Sequence, residues 1–368
     1  MTEHQIYSFI YIFSTWLLSL AEGARIKRLP DQYLLERENF SKAVIFLMVF
    51  LIFLMGVRPG TVGGDTGHYM SEYKEMTYGF YILDDDVSDW LFYNFQFVCA
   101  KIMPVSMFFL LVDFLYVFLA YLACRRFLWD NATWLFLFAM GAFSFFSYGV
   151  NGIRNGLAST LVLLALSYLD GNLKDKIVCG VLCFLAFNCH KSSALPIAAM
   201  LFAYFLKKPK FMFYAWGAAL IGSLLIGESL SSLFTLIGFD DRLSGYLALE
   251  ESEETEDAIA AARFRWDFLI YSFMPILMGW YCIYKKKICD LKYHLILGTY
   301  VYANAVWVIL IRIPFTNRFA YLSWFLYAIV LAYPLLKFPL WENQGRKVMM
   351  ILMAHVSFTF LMHFYAGI

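Results

Sequence analysis

Residues 105–124 read VSMFFLLVDFLYVFLAYLAC and run directly into Arg125 and Arg126. About 20 residues of helix cover the roughly 30 Å hydrocarbon core of a bilayer. A stretch of that length, closed by two arginines, predicts a membrane-spanning helix with a basic end. Working outward, further apolar segments lie at 5–21, 41–57, 131–149, 153–169, 177–189, 193–206, 211–227, 267–284, 291–311, 318–335 and 348–365. Together they predict an all-α, polytopic integral membrane protein with about 12 transmembrane helices and short interfacial helices. The segments 177–189 and 193–206 are short, and Asn188–Ser193 interrupts them. They are expected either as two spans or as one broken pair of half-spanning helices. Residues 89–103 mix apolar with polar side chains and are expected as an interfacial helix lying on the membrane.

Composition agrees. Of 368 residues, 61% are hydrophobic and only 15% charged, with a mean hydropathy of +0.64. A soluble domain carries about 25% charged residues, so lipid must be the solvent. The net charge of +1 gives no basis for nucleic-acid binding. The seven cysteines include no C-x-x-C pair, and Cys179 and Cys183 are spaced as one face of a helix. Neither a disulfide framework nor a metal site is expected. The first apolar run has Glu3 before it and Arg25, Lys27 and Arg28 after it. That order is opposite to a cleavable signal peptide.

Lysine and arginine sort spans by side. With the N-terminus outside, 19 of the 29 basic residues fall in the expected cytoplasmic connections, among them Lys207, Lys208 and Lys210, and Lys285, Lys286, Lys287 and Lys292. The chain is therefore expected as a single transmembrane domain, 1–368, with two long outer connections, 58–104 and 228–266. The basic residues left outside include Arg58, Arg154, Lys191, Arg242, Arg263, Arg265, Arg312 and Arg318. The outer face is where function is expected to concentrate.

Four constellations stand there. The first runs from Arg58 through four glycines to Asp65, His68 and Tyr69. Its turn could offer backbone N–H groups to an anion, and Asp65 could orient a hydroxyl, act as a base, or only cap a helix. The second places Arg154 among Gly149, Gly152 and Gly156 at the start of an apolar helix. A guanidinium at a membrane boundary needs a partner, and no acid lies within a helical turn of it. The partner is therefore distant or a ligand, unless the side chain snorkels. The third is Asn188–Pro196, where His190 and Lys191 interrupt apolar sequence; His190 could exchange a proton. The fourth, Arg312–Arg318, offers two guanidinium groups suited to phosphate oxygens. Between them, Asp240–Arg242 and the acidic run Glu250–Asp257 suit a solvated loop.

In their order these motifs resemble the EpsG family of exopolysaccharide membrane proteins, which is similar in role to the Wzy-type polymerases. The resemblance is carried by Arg58 through Asp65 to Tyr69, by Ile153-Arg154-Asn155-Gly156-Leu157-Ala158, and by His190-Lys191-Ser192-Ser193. It implies a membrane glycosyltransferase of GT-C-like architecture in the bacterial cytoplasmic membrane, working on its outer face. It further implies transfer of growing glycan from undecaprenyl pyrophosphate to a new lipid-linked repeat unit, building O-antigen, capsule or exopolysaccharide. The partners implied are that lipid-linked oligosaccharide, membrane lipids and a chain-length regulator protein, with no nucleic acid. No cofactor and no metal are expected. On this reading Asp65 and His190 are the catalytic residues, and Arg58, His68, Tyr69, Arg154, Lys191, Arg312 and Arg318 bind substrate. A polysaccharide ligase using the same donor, or a lipid-linked glycan flippase, are the alternatives.

Overall fold

A computed structural model describes residues 2–79, 89–236, 264–313 and 316–366. Every regular element among the described residues is helical. Six helices are long and apolar enough to cross a membrane: Glu3–Arg28, Val105–Phe127, Pro209–Ile226, Trp266–Lys285, Thr316–Lys337 and Gln344–His363, with a seventh if one bent pair is a single span. All six coincide with expected spans. Helices 42–56, 153–166 and 191–205 are apolar but shorter. The chain divides into two compact units, Met1–His190 with Ala332–Ile368, and Lys191–Leu331.

The first unit opens with α1 (Glu3–Arg28), α2 (Asp31–Glu36) and α3 (Lys42–Gly56). A capping box starts α1: Thr2 Oγ1 accepts from Gln5 N–H while Gln5 Oε1 accepts from Thr2 N–H. The polar side of α1 faces inward and its apolar side outward. Ser8, Thr15, Ser19 and Glu22 are buried, whereas Ile6, Ile10, Phe13, Leu17 and Leu20 form an exposed stripe. Such inverted amphipathicity suits a helix whose solvent is lipid. Glu22 is satisfied inside by Ser41 Oγ at 2.7 Å and Trp134 Nε1 at 2.8 Å.

Next come α4 (Thr66–Tyr78), α5 (Trp90–Ile102), α6 (Val105–Phe127), α7 (Ala132–Met140), α8 (Phe143–Val150), α9 (Ile153–Leu166) and α10 (Leu173–Cys189). The connection expected as a long outer loop at 58–104 therefore carries two helices, and residues 89–103 do form one of them. Buried positions 69, 73 and 76 of α4 and 92, 96, 99 and 100 of α5 repeat with helical period. All of them except Gln96 join Phe108, Phe109, Ile153, Leu157 and Cys189 in one apolar cluster.

The expected span 131–149 is not one straight helix. It is broken into α7 and α8 by a 74° bend at Gly141–Ala142, and both halves are buried throughout. A break inside hydrocarbon strands backbone carbonyls, each costing several kcal/mol if left unmet. Here side chains meet them. Tyr11 OH donates to Met140 O, Thr359 Oγ1 to Gly141 O and Tyr116 OH to Phe145 O, at 2.8–3.0 Å, and His355 Nε2 lies 3.0 Å from Phe138 O. Any Cβ on Gly141 would lie 2.5 Å from Val356 Cγ1, so only glycine fits against α17 (Gln344–Ala366).

The second unit contains α11 (Ala194–Phe205), α12 (Pro209–Leu236), α13 (Trp266–Trp280, leading into a π-helical turn Tyr281–Lys285), α14 (Leu291–Ile309) and α15 (Thr316–Trp324). Helix α16 (Tyr327–Lys337) returns the chain to the first unit. The second expected outer loop starts later than 228, because α12 continues to Leu236 through a kink at Ile226. Helix α14 lies at the centre, tied by Trp216 Nε1 to Asn304 Oδ1 (2.8 Å), Asn304 Nδ2 to Ser323 Oγ (3.0 Å) and Tyr300 OH to Ser272 O (2.8 Å).

Candidate functional site

Arg154 stands in the first turn of α9, His190 directly follows α10, and Asp89 immediately precedes α5. The apolar faces of α4, α5, α9 and α10 bring these three together in the first unit. Arg154 Nη1 donates to Asp89 Oδ2 at 3.0 Å and to Tyr93 OH at 2.9 Å, and Arg154 Nε donates to Tyr69 OH at 3.2 Å. His190 Nδ1 lies 2.9 Å from the same Asp89 oxygen. The carboxylate side chain is 4% exposed, Arg154 12% and His190 15%. A carboxylate that accepts from a guanidinium is ionised, so the histidine nitrogen facing it donates. That contact orients the ring through Nδ1. The side-chain hydrogen bonds of Arg154 among the described residues run through Nε and Nη1.

Asp89 takes the N-cap position of α5 but makes no capping hydrogen bond through its side chain, which is committed to Arg154 and His190. This resolves the partner of Arg154: it is an acid 65 residues away in sequence. Sequence reasoning placed Asp89 and Tyr93 on the interfacial helix and gave them no role. The signal that could have found them was an aspartate opening an amphipathic helix, with a tyrosine one turn later, on the face where an unpaired arginine was already expected.

Other expected site residues lie differently. Arg58, expected to bind substrate, has no exposed side-chain surface. It pairs with Asp113 at 2.8 Å inside the protein, both side chains 0–1% exposed, and also donates through Nε to Thr66 Oγ1 at 3.1 Å. Thr66 in turn donates to Val150 O at 3.0 Å, so this arginine holds the start of α4 against the end of α8. The glycine turn is likewise no anion cradle at its tip. Gly63 N–H donates to His4 Nδ1 at 3.1 Å, Gly64 N–H to Asn151 Oδ1 at 2.5 Å, and the Thr61 hydroxyl is bonded to Glu3. Gly63 has φ +89°, and a Cβ there would meet Val150 O at 2.7 Å.

Asp65 sits half-buried at the N-cap of α4 without a side-chain cap bond, and the 71%-exposed His68 pairs with Glu72 at 3.1 Å. Burial holds the Glu72 carboxyl above the usual carboxylate range, against the opposing pull of His68 and Arg154. Lys191 is exposed in the short turn Lys191–Ser193 that opens the second unit. Arg312 and Arg318 belong to that second unit; Arg312 lies over the Phe264 ring, 5.2 Å from its centroid, and Arg318 is exposed in the first turn of α15. Arg242, Arg263 and the acidic run Glu250–Asp257 lie outside the described residues. No cluster of three metal-ligating side chains occurs among the described residues.

No curated protein and no solved structure matches the chain. The EpsG family model matches residues 42–367, nearly the whole sequence. This stretch contains all three motifs that carried the resemblance, together with the Asp89–Arg154–His190 cluster. The chain therefore belongs to the EpsG family, a family of Wzy-like polysaccharide polymerases and thus of glycosyltransferase-like membrane enzymes.

Proposed function

We propose that this protein polymerises lipid-linked oligosaccharide repeat units into a surface polysaccharide at the outer leaflet of the bacterial cytoplasmic membrane. The donor would be the growing glycan on undecaprenyl pyrophosphate, and the acceptor a sugar hydroxyl of a new lipid-linked unit. The observation that supports this most directly is the Asp89–His190 pair beside Arg154. Glycosyl transfer needs a group that removes a proton from an attacking hydroxyl, and a cation near the departing phosphate.

In this reading His190 Nε2 takes the hydroxyl proton as the new bond forms from oxygen to the anomeric carbon. The bond from that carbon to the pyrophosphate oxygen breaks, and its electron pair leaves with the pyrophosphate. Asp89 stabilises the imidazolium formed and keeps the ring oriented. Arg154 fixes Asp89 with one nitrogen and turns Nη2 toward the anion. Asp65 is not the base in this reading, since no side-chain cap bond orients its carboxyl. Tyr69 and Tyr93 orient the guanidinium through their hydroxyls, Tyr69 from within the buried cluster. For Lys191, Arg312 and Arg318 a phosphate-binding role rests on the chemistry of their side chains alone.

Vesicles holding the protein and a lipid-linked repeat unit, without any ion gradient, test the reading. Lengthening of the glycan on its own lipid is the expected product. Transfer only to a separate non-lipid acceptor would identify a ligase instead. Full chain length from His190→Ala would remove the proposed base.

A further inference from the structure

The second unit carries an apolar cavity of about 490 Å³ between α11, α12 and α14. Its floor exists because four positions that face it are alanine, Ala198, Ala199, Ala215 and Ala305. Larger neighbours, Phe202 and Phe211, stand at its sides and are themselves exposed. An apolar, alanine-floored trough on a lipid-bathed helix group fits a hydrocarbon chain.

One end of the cavity is not apolar. Leu206 and Phe211 line it, and the residues between them include Lys207, Lys208 and Lys210, all exposed. The connection from α13 to α14 adds Lys285, Lys286, Lys287 and Lys292. Two contacts bring these connections to the same end. The Phe213 and Tyr284 rings lie 5.8 Å apart, and the His294 ring lies against the backbone of Ala203 and Leu206. Seven lysines gather there against one carboxylate, Asp290, which is occupied in capping α14 through Tyr293 N–H. Trp280 and Tyr284 are exposed beside them, as aromatic side chains are at the headgroup level.

We propose that this trough is a binding site for an anionic phospholipid. One acyl chain lies on the alanine floor, and the phosphate meets Lys207, Lys208 and Lys210. Charge complementarity selects the headgroup, while the apolar walls exclude a free ion as the natural occupant. The inference is independent of the polymerase reading, because no residue of the Asp89–Arg154–His190 cluster takes part.

The test uses the whole protein in detergent, supplied separately with phosphatidylglycerol, phosphatidylcholine and a polyprenyl phosphate, with retained lipid counted by native mass spectrometry. Phosphatidylglycerol is expected to be retained over phosphatidylcholine, and the preference to shrink with added salt. The variant K207Q/K208Q/K210Q changes only exposed side chains. A juxtamembrane lysine contributes about fivefold in affinity, so the three together should cost about a hundredfold for the anionic lipid and little for the zwitterionic one. Ala198→Phe fills the floor and should weaken both. Equal retention of the two phospholipids, or an unchanged preference in the triple variant, would overturn the proposal. So would displacement of the lipid by millimolar inorganic phosphate alone, or stronger retention of the polyprenyl phosphate than of phosphatidylglycerol.

Discussion

Replacing Asp89 by Asn keeps the shape of the residue and removes its charge, which makes it the sharpest probe of the cluster. One oxygen of Asp89 accepts from Arg154 at 3.0 Å and faces His190 at 2.9 Å. An amide offers a single neutral acceptor, and its NH2 group repels whichever donor it faces. Breaking a fully buried ion pair costs about 3–5 kcal/mol. Arg154 keeps the Tyr69 and Tyr93 hydroxyls and is 12% exposed, so the lower end, about 3 kcal/mol, applies to local stability. The catalytic effect is separate. With Asn at position 89 the imidazole loses the acceptor that fixes its tautomer, and general-base assistance of about 10²–10⁴ in rate is at stake.

The assay is the initial rate of repeat-unit joining in vesicles, for Asp89→Asn, His190→Ala and the double variant, with the melting temperature of each in detergent. The two residues act as one device, so the double variant should be no slower than the slower single variant. Rates that multiply in the double variant would refute the reasoning. So would an Asp89→Asn enzyme within about threefold of wild type while His190→Ala is inactive, since general-base loss alone should exceed that.

Other perturbations probe the frame around the site. Asp113→Asn strands the buried Arg58 cation and should cost about 3–5 kcal/mol, read as a lower melting temperature; Arg58→Met with Asp113→Leu should recover much of it. Gly63→Ala forces a left-handed backbone on a residue with a Cβ, costing about 1–2 kcal/mol before its contact with Val150 O is counted. Because burial raises the Glu72 pKa, its ionised form burdens the folded state, a cost absent below the ordinary glutamate range and growing as pH rises through the raised value. Glu72→Gln should therefore leave the melting temperature unchanged at about pH 4 and raise it at about pH 8; a difference of the opposite sign would contradict the burial argument.

How much of this was written legibly in the sequence depended on distance along the chain. Spans such as 105–124 were plain, since hydropathy over one helix is a local property. The same holds for Arg154 and His190, whose strangeness in apolar surroundings needs no partner to be noticed. Asp89 was invisible because its meaning lies 65 residues away, in a guanidinium that only folding delivers. Arg58 misled for the complementary reason. An arginine beside four glycines resembles a ligand until Asp113, on another helix, neutralises it. The break at Gly141 was hidden as well, because unbroken hydrophobicity says nothing about backbone direction when distant hydroxyls can meet the stranded carbonyls.

That elbow imposes an order on biogenesis. The groups that meet its carbonyls come from α1, α6 and α17, and α17 reaches back across 217 and 218 residues of sequence to do so. Until α17 inserts, the carbonyls of Phe138 and Gly141 lack His355 and Thr359, at a cost of several kcal/mol each in hydrocarbon. The centre of the first unit is therefore sealed only once α17 is in place. A chain interrupted before residue 344 would leave both carbonyls without these side chains in the bilayer, so the bend depends on a helix far from it in sequence.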